Sequence, residues 1–110
     1  MRSTSNVDGE IPGGLSSDPS FLVLASLVEG PKHGHAMLND IEVLCGRRLG
    51  PGTLYGAIGR LEKQGLIEPL PPVDRRRPYR LTRDGQSVFA SKLAALRRLV
   101  AISDARLVPQ

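Results

Sequence analysis

Residues 49–67, LGPGTLYGAIGRLEKQGLI, read as one short helix with a marked start, two unlike faces and a marked stop. Pro51 suits the first helical turn, where its missing N–H has no partner to lose, and Gly65 suits the left-handed residue that closes a helix. At about 100° per residue, Leu54, Ala57, Ile58 and Leu61 fall on one side and Gly56, Gly59, Arg60 and Lys63 on the other. The apolar side needs a core. The other side is bare, although each glycine in a helix interior costs roughly 1 kcal/mol relative to alanine. In return, a helix without side chains there lets a partner surface approach its backbone, and Arg60 and Lys63 would supply positive charge beside the contact. The plain alternative is a surface helix that tolerates two glycines.

Upstream, from about Gly34 to Arg48, the apolar residues Met37, Leu38, Ile41, Leu44, Cys45 and Leu49 recur at intervals of three and four. That spacing predicts a second amphipathic helix, and Gly50-Pro51 closes its short link to the glycine-bearing one. So short a link makes the two a helix-turn-helix pair with the later helix projecting outward. Further upstream, Asp18-Pro19 offers an N-cap carboxylate and a first-turn proline. The helix it opens is apolar nearly all round from Phe21 to Val28 and is expected to reach about Glu29, before Gly30-Pro31. Residues 1–17, rich in Gly, Ser and Pro, are expected to be a disordered tail.

Downstream of Gly65, Leu66 to Leu70 and Arg77 to Thr82 read as two short antiparallel strands around the loop Pro71-Pro72-Val73-Asp74-Arg75-Arg76. Their prolines keep them at sheet edges, so the hairpin is a small wing. Arg75, Arg76 and Arg77 crowd three positive charges at its tip, for which a phosphate backbone is a natural partner. Thr82 is an N-cap candidate for a last helix from Arg83 to about Arg106. Phe89, Leu93, Leu96, Val100 and Leu107 form its stripe, broken at Ser103, with Val88, Leu99 and Ile102 alongside. The stripe is longer than one small domain can cover, so Phe89, Leu93, Leu96, Leu99 and Val100 are expected to form a homodimer seam. The alternative is a helix folded wholly onto its own core. The expected architecture is mainly α with a small β-hairpin: a winged helix-turn-helix over residues 18–82 and a C-terminal dimerisation helix over 83–107.

Charge placement agrees with this division. The 110 residues carry a net +4, but residues 1–46 carry −4, residues 47–83 carry +6 and residues 84–110 carry +2. Positive charge is thus concentrated on the projecting helix and the wing, as a polyanion-binding surface requires. A solvated basic face without a partner is the alternative that charge alone leaves open. RNA shares the charge argument, although its deep, narrow A-form groove would exclude the projecting helix. A winged helix used only for protein contact would not need the basic segment.

Other function classes find little support. His33 and His35 lack a third ligand at metal spacing, so they read as residues of a helix start or as a solvated pair, and no metal or cofactor is expected. Glu42, Glu62 and Glu68 show no acid–base pairing, and no phosphate-cradling glycine motif of Walker or dinucleotide type occurs. An enzyme is therefore not expected. The longest apolar run, Phe21 to Val28, is too short to span a membrane. Cys45, the single cysteine, excludes internal disulfides and cysteine metal clusters; with no secretory pattern, a cytoplasmic setting is expected.

These pieces together resemble the PadR family of transcriptional regulators, in particular its small members with a short C-terminal dimerisation helix. The matching residues are Gly30-Pro31 with His33-Gly34, then Pro51-Gly52-Thr53-Leu54-Tyr55, then Arg60-Leu61-Glu62 with Gly65-Leu66-Ile67, and finally Arg77-Pro78-Tyr79-Arg80-Leu81-Thr82 with Gly85. The resemblance implies a homodimeric repressor on a roughly palindromic double-stranded DNA operator, released by a small molecule or another signal. It implies Thr53, Tyr55 and Arg60 as contacts from the projecting helix and the wing arginines as backbone contacts. On the helical wheel Tyr55 lies at the flank, where packing against the wing and contact with DNA are both open to it. Two departures stand out: His35 where the family often has tyrosine, and Gly56 where it often has proline.

Overall fold

A computed structural model describes residues 18–109, so the expected tail of residues 1–17 lies outside the described residues. The apolar faces of three helices meet in one core: α1 (Pro19–Leu27), α2 (Gly34–Cys45) and α3 (Pro51–Lys63). Val23, Leu24, Met37, Ile41, Leu54 and Leu61 are fully buried there, together with Ile67 from the first wing strand. Capping follows the chemistry of the residues. The Asp18 carboxylate accepts from Ser20 N at 3.1 Å, and Gly46 ends α2 in the left-handed region at φ 77°, its N–H donating to the Glu42 carbonyl at 2.8 Å. Gly65, at φ 76°, ends α3 in a Schellman arrangement: its N–H donates to the Glu62 carbonyl at 3.0 Å and Leu66 N to the Leu61 carbonyl at 2.9 Å.

Two helices stop short of the expected ends. Gly46 closes α2 about a turn before Arg48. α1 ends at Leu27 rather than near Glu29, since the backbone tightens to three-residue bonds, Val28 N to the Ala25 carbonyl and Gly30 N to the Leu27 carbonyl, and the Lys32 ammonium donates to the Ser26 carbonyl at that end. That ammonium also pairs with Glu29 at 2.7 Å and lies 3.6 Å from Asp40, whose carboxylate accepts from the buried Ser26 hydroxyl at 2.7 Å. This network ties α1, α2 and the segment between them.

The expected hairpin of two antiparallel strands is present, and a third strand that the sequence did not announce joins it in one sheet. β1 (Lys32–His33), β2 (Ile67–Pro69) and β3 (Pro78–Leu81) lie in the order β1-β3-β2. Lys32 pairs with Tyr79 and His33 with Pro78; on the other edge Ile67 pairs with Leu81 and Pro69 with Tyr79. A two-residue strand shows no alternation of its own, so only its partner identifies it.

Thr82 joins the wing to α4 (Arg83–Leu107): its hydroxyl donates to the Gly65 carbonyl at 2.7 Å and accepts from Gly85 N at 3.0 Å. Gly85 is buried against the Leu66 carbonyl, where a Cβ would collide with backbone. The first half of α4 packs on the core through Val88 and Phe89, the Phe89 ring stacking on Phe21 with centroids 5.2 Å apart. Beyond it, Leu93 and Leu96 are half-buried and Leu99, Val100 and Ile102 are exposed.

Candidate nucleic-acid interface

The buried and bare faces of α3 are those the periodicity gives. Leu54, Ala57, Ile58 and Leu61 are buried, while Thr53, Gly56, Gly59, Arg60 and Lys63 are exposed. A Cβ at Gly59 would meet nothing within 4 Å, and one at Gly56 would meet only the Arg60 guanidinium at 3.5 Å. Arg60 therefore lies back along the helix over Gly56. Gly52, one turn before Gly56, is equally open and extends the bare stripe to the start of the helix. Its glycine signal was present in the sequence but falls in the first turn, where a missing side chain attracts no attention.

Tyr55 packs neither into the core nor wholly outward. Its hydroxyl lies over Gly34 at the start of α2, filling the space a Cβ would take, yet the residue remains 53% exposed. It borders a cleft of about 410 Å³ whose other walls are His33, Gly34, His35, Tyr79 and the three wing arginines. The structure thus joins the flank of α3 to the wing through one basic cleft. Burial, and after it the Glu62 carboxylate, pushes the Tyr79 phenol above its ordinary range, while the Arg77 guanidinium opposes the shift.

The three arginines are not equivalent. Arg77 donates to the Leu70 carbonyl at 2.9 Å and latches the wing across its base. Arg76 contacts His33, with Nη1 3.3 Å from Nε2. Arg75 stands at the apex of a tight turn in which Val73 and Arg76 exchange backbone hydrogen bonds of 2.7 and 2.8 Å. Both central residues have positive φ, 49° at Asp74 and 66° at Arg75, the pattern of a type I′ turn that ordinarily selects Asn-Gly. Holding arginine there costs on the order of 1 kcal/mol. Neither its side chain nor those of Arg60 and Lys63 has a hydrogen-bond or ion-pair partner among the described residues. By contrast Arg48 and Arg80 are neutralised by Glu42 at 2.9 Å and Glu68 at 2.6 Å.

For His33 the structure decides between the two readings the sequence left, a helix start and a solvated pair. The residue is the N-cap of α2, its Nδ1 accepting from Ala36 N at 3.3 Å, which settles its place at a helix start. On α4 the residues expected to form a seam divide: Phe89 is engaged by Phe21 of its own chain, whereas Leu93, Leu96, Leu99 and Val100 keep surface that the described residues leave uncovered. Among the described residues no helix is long and apolar enough to cross a membrane.

Comparison with known proteins agrees with this architecture. Residues 23–91 match the transcriptional regulator PadR-like family. The chain is 43% identical over 84 residues to an uncharacterised 37.1 kDa protein in transposon TN4556 of Streptomyces fradiae, covering 76% of this chain and 24% of that one. It is 31% identical over 86 residues to the transcriptional activator GvpE of Haloferax mediterranei, covering 78% of this chain and 43% of that one. The chain thus spans less than half the length of these curated relatives. Among solved structures, a PadR family transcription regulator from Clostridium difficile superposes with a TM-score of 0.73 at 21% identity, over 82% of this chain and 98% of that one. The chain belongs to the PadR-like family of transcriptional regulators.

Proposed function

We propose that this regulator binds double-stranded DNA sequence-specifically as a homodimer. α3 enters the major groove by its bare face, and the wing rides on the phosphate backbone. The observation that carries this reading is the coincidence of two features on one side of the molecule. An exposed helix face is stripped to glycine beside Arg60 and Lys63, and an unpartnered Arg75 is held at a strained turn across the adjoining cleft. Thr53, near the start of α3, donates to phosphate; Gly56 and Gly59 allow close approach; Arg60 reads base edges; Lys63 and the wing arginines neutralise backbone. Tyr55 contributes its exposed edge beside the cleft.

The second half of α4 supplies the dimer contact through Leu93, Leu96, Leu99 and Val100, continuing from Phe89. Two-fold symmetry then calls for a roughly palindromic operator with half-sites about 34–36 Å or a multiple apart. Repression, relieved by a small molecule or another signal, is the regulatory mode we infer from the resemblance; activation is the second reading, because one relative is named an activator. The proposed setting is cytoplasmic.

Base reading and backbone contact are separable by substitution. Arg60→Ala should reduce discrimination between operator and mismatched duplexes by roughly 1–3 kcal/mol, the worth of a bidentate arginine–guanine pair. Arg75→Gln should weaken all duplexes alike. An equal loss on every sequence from Arg60→Ala would refute the base-reading role.

A further inference from the structure

The His33–Arg76 contact contains a conflict of donors. A neutral imidazole has one accepting nitrogen, and His33 uses Nδ1 to accept the Ala36 N–H at 3.3 Å. Its proton is then on Nε2, which faces Arg76 Nη1 at 3.3 Å, a group that only donates. Moving the proton to Nδ1 would satisfy Arg76 but set two donors against each other at the start of α2. No arrangement of the ring makes both contacts hydrogen bonds. Two N–H groups side by side at the wall of an open cleft are complementary to one shared acceptor, and a guanidinium beside it favours an anionic one.

The geometry points to an oxyanion seat formed by His33 Nε2–H and the Arg76 guanidinium in the cleft between the wing and α3, which takes one phosphate group of the DNA backbone. This assignment rests on the proposed DNA binding and adds to it a residue outside both the recognition helix and the wing tip. The surroundings suit the ligand. The cleft, of about 410 Å³, is large enough for a tetrahedral oxyanion with water, Tyr55 and Tyr79 border it, and among the described residues no carboxylate lines it, Asp74 lying instead in the adjoining hollow that His33 and Arg76 also border. Arg76 is held toward it by its own backbone, which is locked in the Val73–Arg76 bridge. His33 is fixed from two sides, by its cap to α2 and by its strand pairing with Pro78.

Two variants leave the scaffold intact. Asparagine is among the best N-cap residues, so His33→Asn keeps an acceptor for Ala36 N–H and removes the second donor. Arg76→Gln removes the charge and keeps the backbone bridge. Melting temperatures establish that both are folded. The first probe is a 24-bp duplex of arbitrary sequence at low salt, because a backbone contact needs no operator. His33→Asn should weaken its binding roughly 3- to 10-fold, the worth of one hydrogen bond, with the salt slope unchanged. Arg76→Gln should lower the slope by about 0.9, one phosphate. In the double variant the His33 effect should shrink, since both groups grip one oxyanion. The second probe is inorganic phosphate, followed at the His33 imidazole by proton–nitrogen NMR.

Wild-type affinity in His33→Asn, or additive losses in the double variant, with an imidazole unmoved by phosphate, overturns the seat and leaves DNA binding standing. Coupled losses support it as a backbone contact. An imidazole that responds to phosphate in a protein that binds no duplex supports a seat for a free oxyanion and overturns the DNA reading alone.

Discussion

Gly59→Ala separates a helix built for contact from one that merely tolerates glycine, because both accounts predict a more stable protein but only the first predicts weaker DNA binding. A Cβ at Gly59 would meet nothing within 4 Å, and the residue lies inside α3 with helical neighbours on both sides. The methyl group therefore brings no clash to the free protein. It removes the conformational freedom of glycine from the unfolded chain, which should stabilise the fold by about 0.5–1 kcal/mol. At 4–8 °C per kcal/mol for a domain of this size, the melting temperature should rise by roughly 2–8 °C. If the bare face lies against DNA, the same methyl holds the backbone off the groove and the duplex affinity falls, by roughly 5- to 150-fold for a misfit of about 1–3 kcal/mol. Thermal unfolding by circular dichroism and fluorescence anisotropy on one protein preparation give both quantities. A variant that melts higher and binds DNA as tightly as the parent would refute the claim that this face is bare for the sake of contact.

Leu96→Glu places an unpaired carboxylate in the proposed α4 seam, so light scattering should show a monomer while the α1–α3 core stays folded; a persistent dimer would rule that seam out. Asp40→Ala removes the acceptor of the buried Ser26 hydroxyl, and urea titration should show a loss of about 1–3 kcal/mol with unchanged slope. A loss below about 0.5 kcal/mol would mean the network holds nothing in place. Tyr79 ionises at higher pH folded than unfolded, so its contribution is fully present below the ordinary tyrosine value of 10.0 and is lost as pH rises through the folded value. Tyr79→Phe should therefore make stability fall less steeply above pH 10, and an identical fall would contradict the assigned burial.

What the sequence made legible was the local chemistry that acts through the backbone. Pro51 and Gly65 mark the ends of α3 because each is nearly obligatory in its conformation, and Asp18 and Thr82 mark helix starts because their side chains satisfy amides two or three residues on. What remained hidden depends on partners distant in the chain. β1 exists because Tyr79 and Pro78 lie beside Lys32 and His33, and the Ser26 carbonyl at the end of α1 finds its donor in Lys32, beyond Gly30-Pro31. Periodicity put Phe89 in the α4 stripe, but it could not tell a partner in another copy from Phe21 of the same chain. The site divides in the same way. The bare helix face was readable from spacing. The distinct uses of three consecutive arginines were not, since Arg77 is committed to Leu70, Arg76 faces His33 and only Arg75 is left at the apex. The turn that presents Arg75 was hidden for the opposite reason: Asp74-Arg75 adopts a conformation that a sequence normally announces with Asn-Gly.

Fluorescence anisotropy with duplex DNA from upstream of the protein's own gene, set against a scrambled duplex at two salt concentrations, tests the central claim most directly. Sequence-specific recognition predicts tighter binding to the upstream duplex and a preference that survives the higher salt, because base contacts do not release counterions. Absence of binding to either duplex would contradict the account and return the basic surface to an RNA or protein partner.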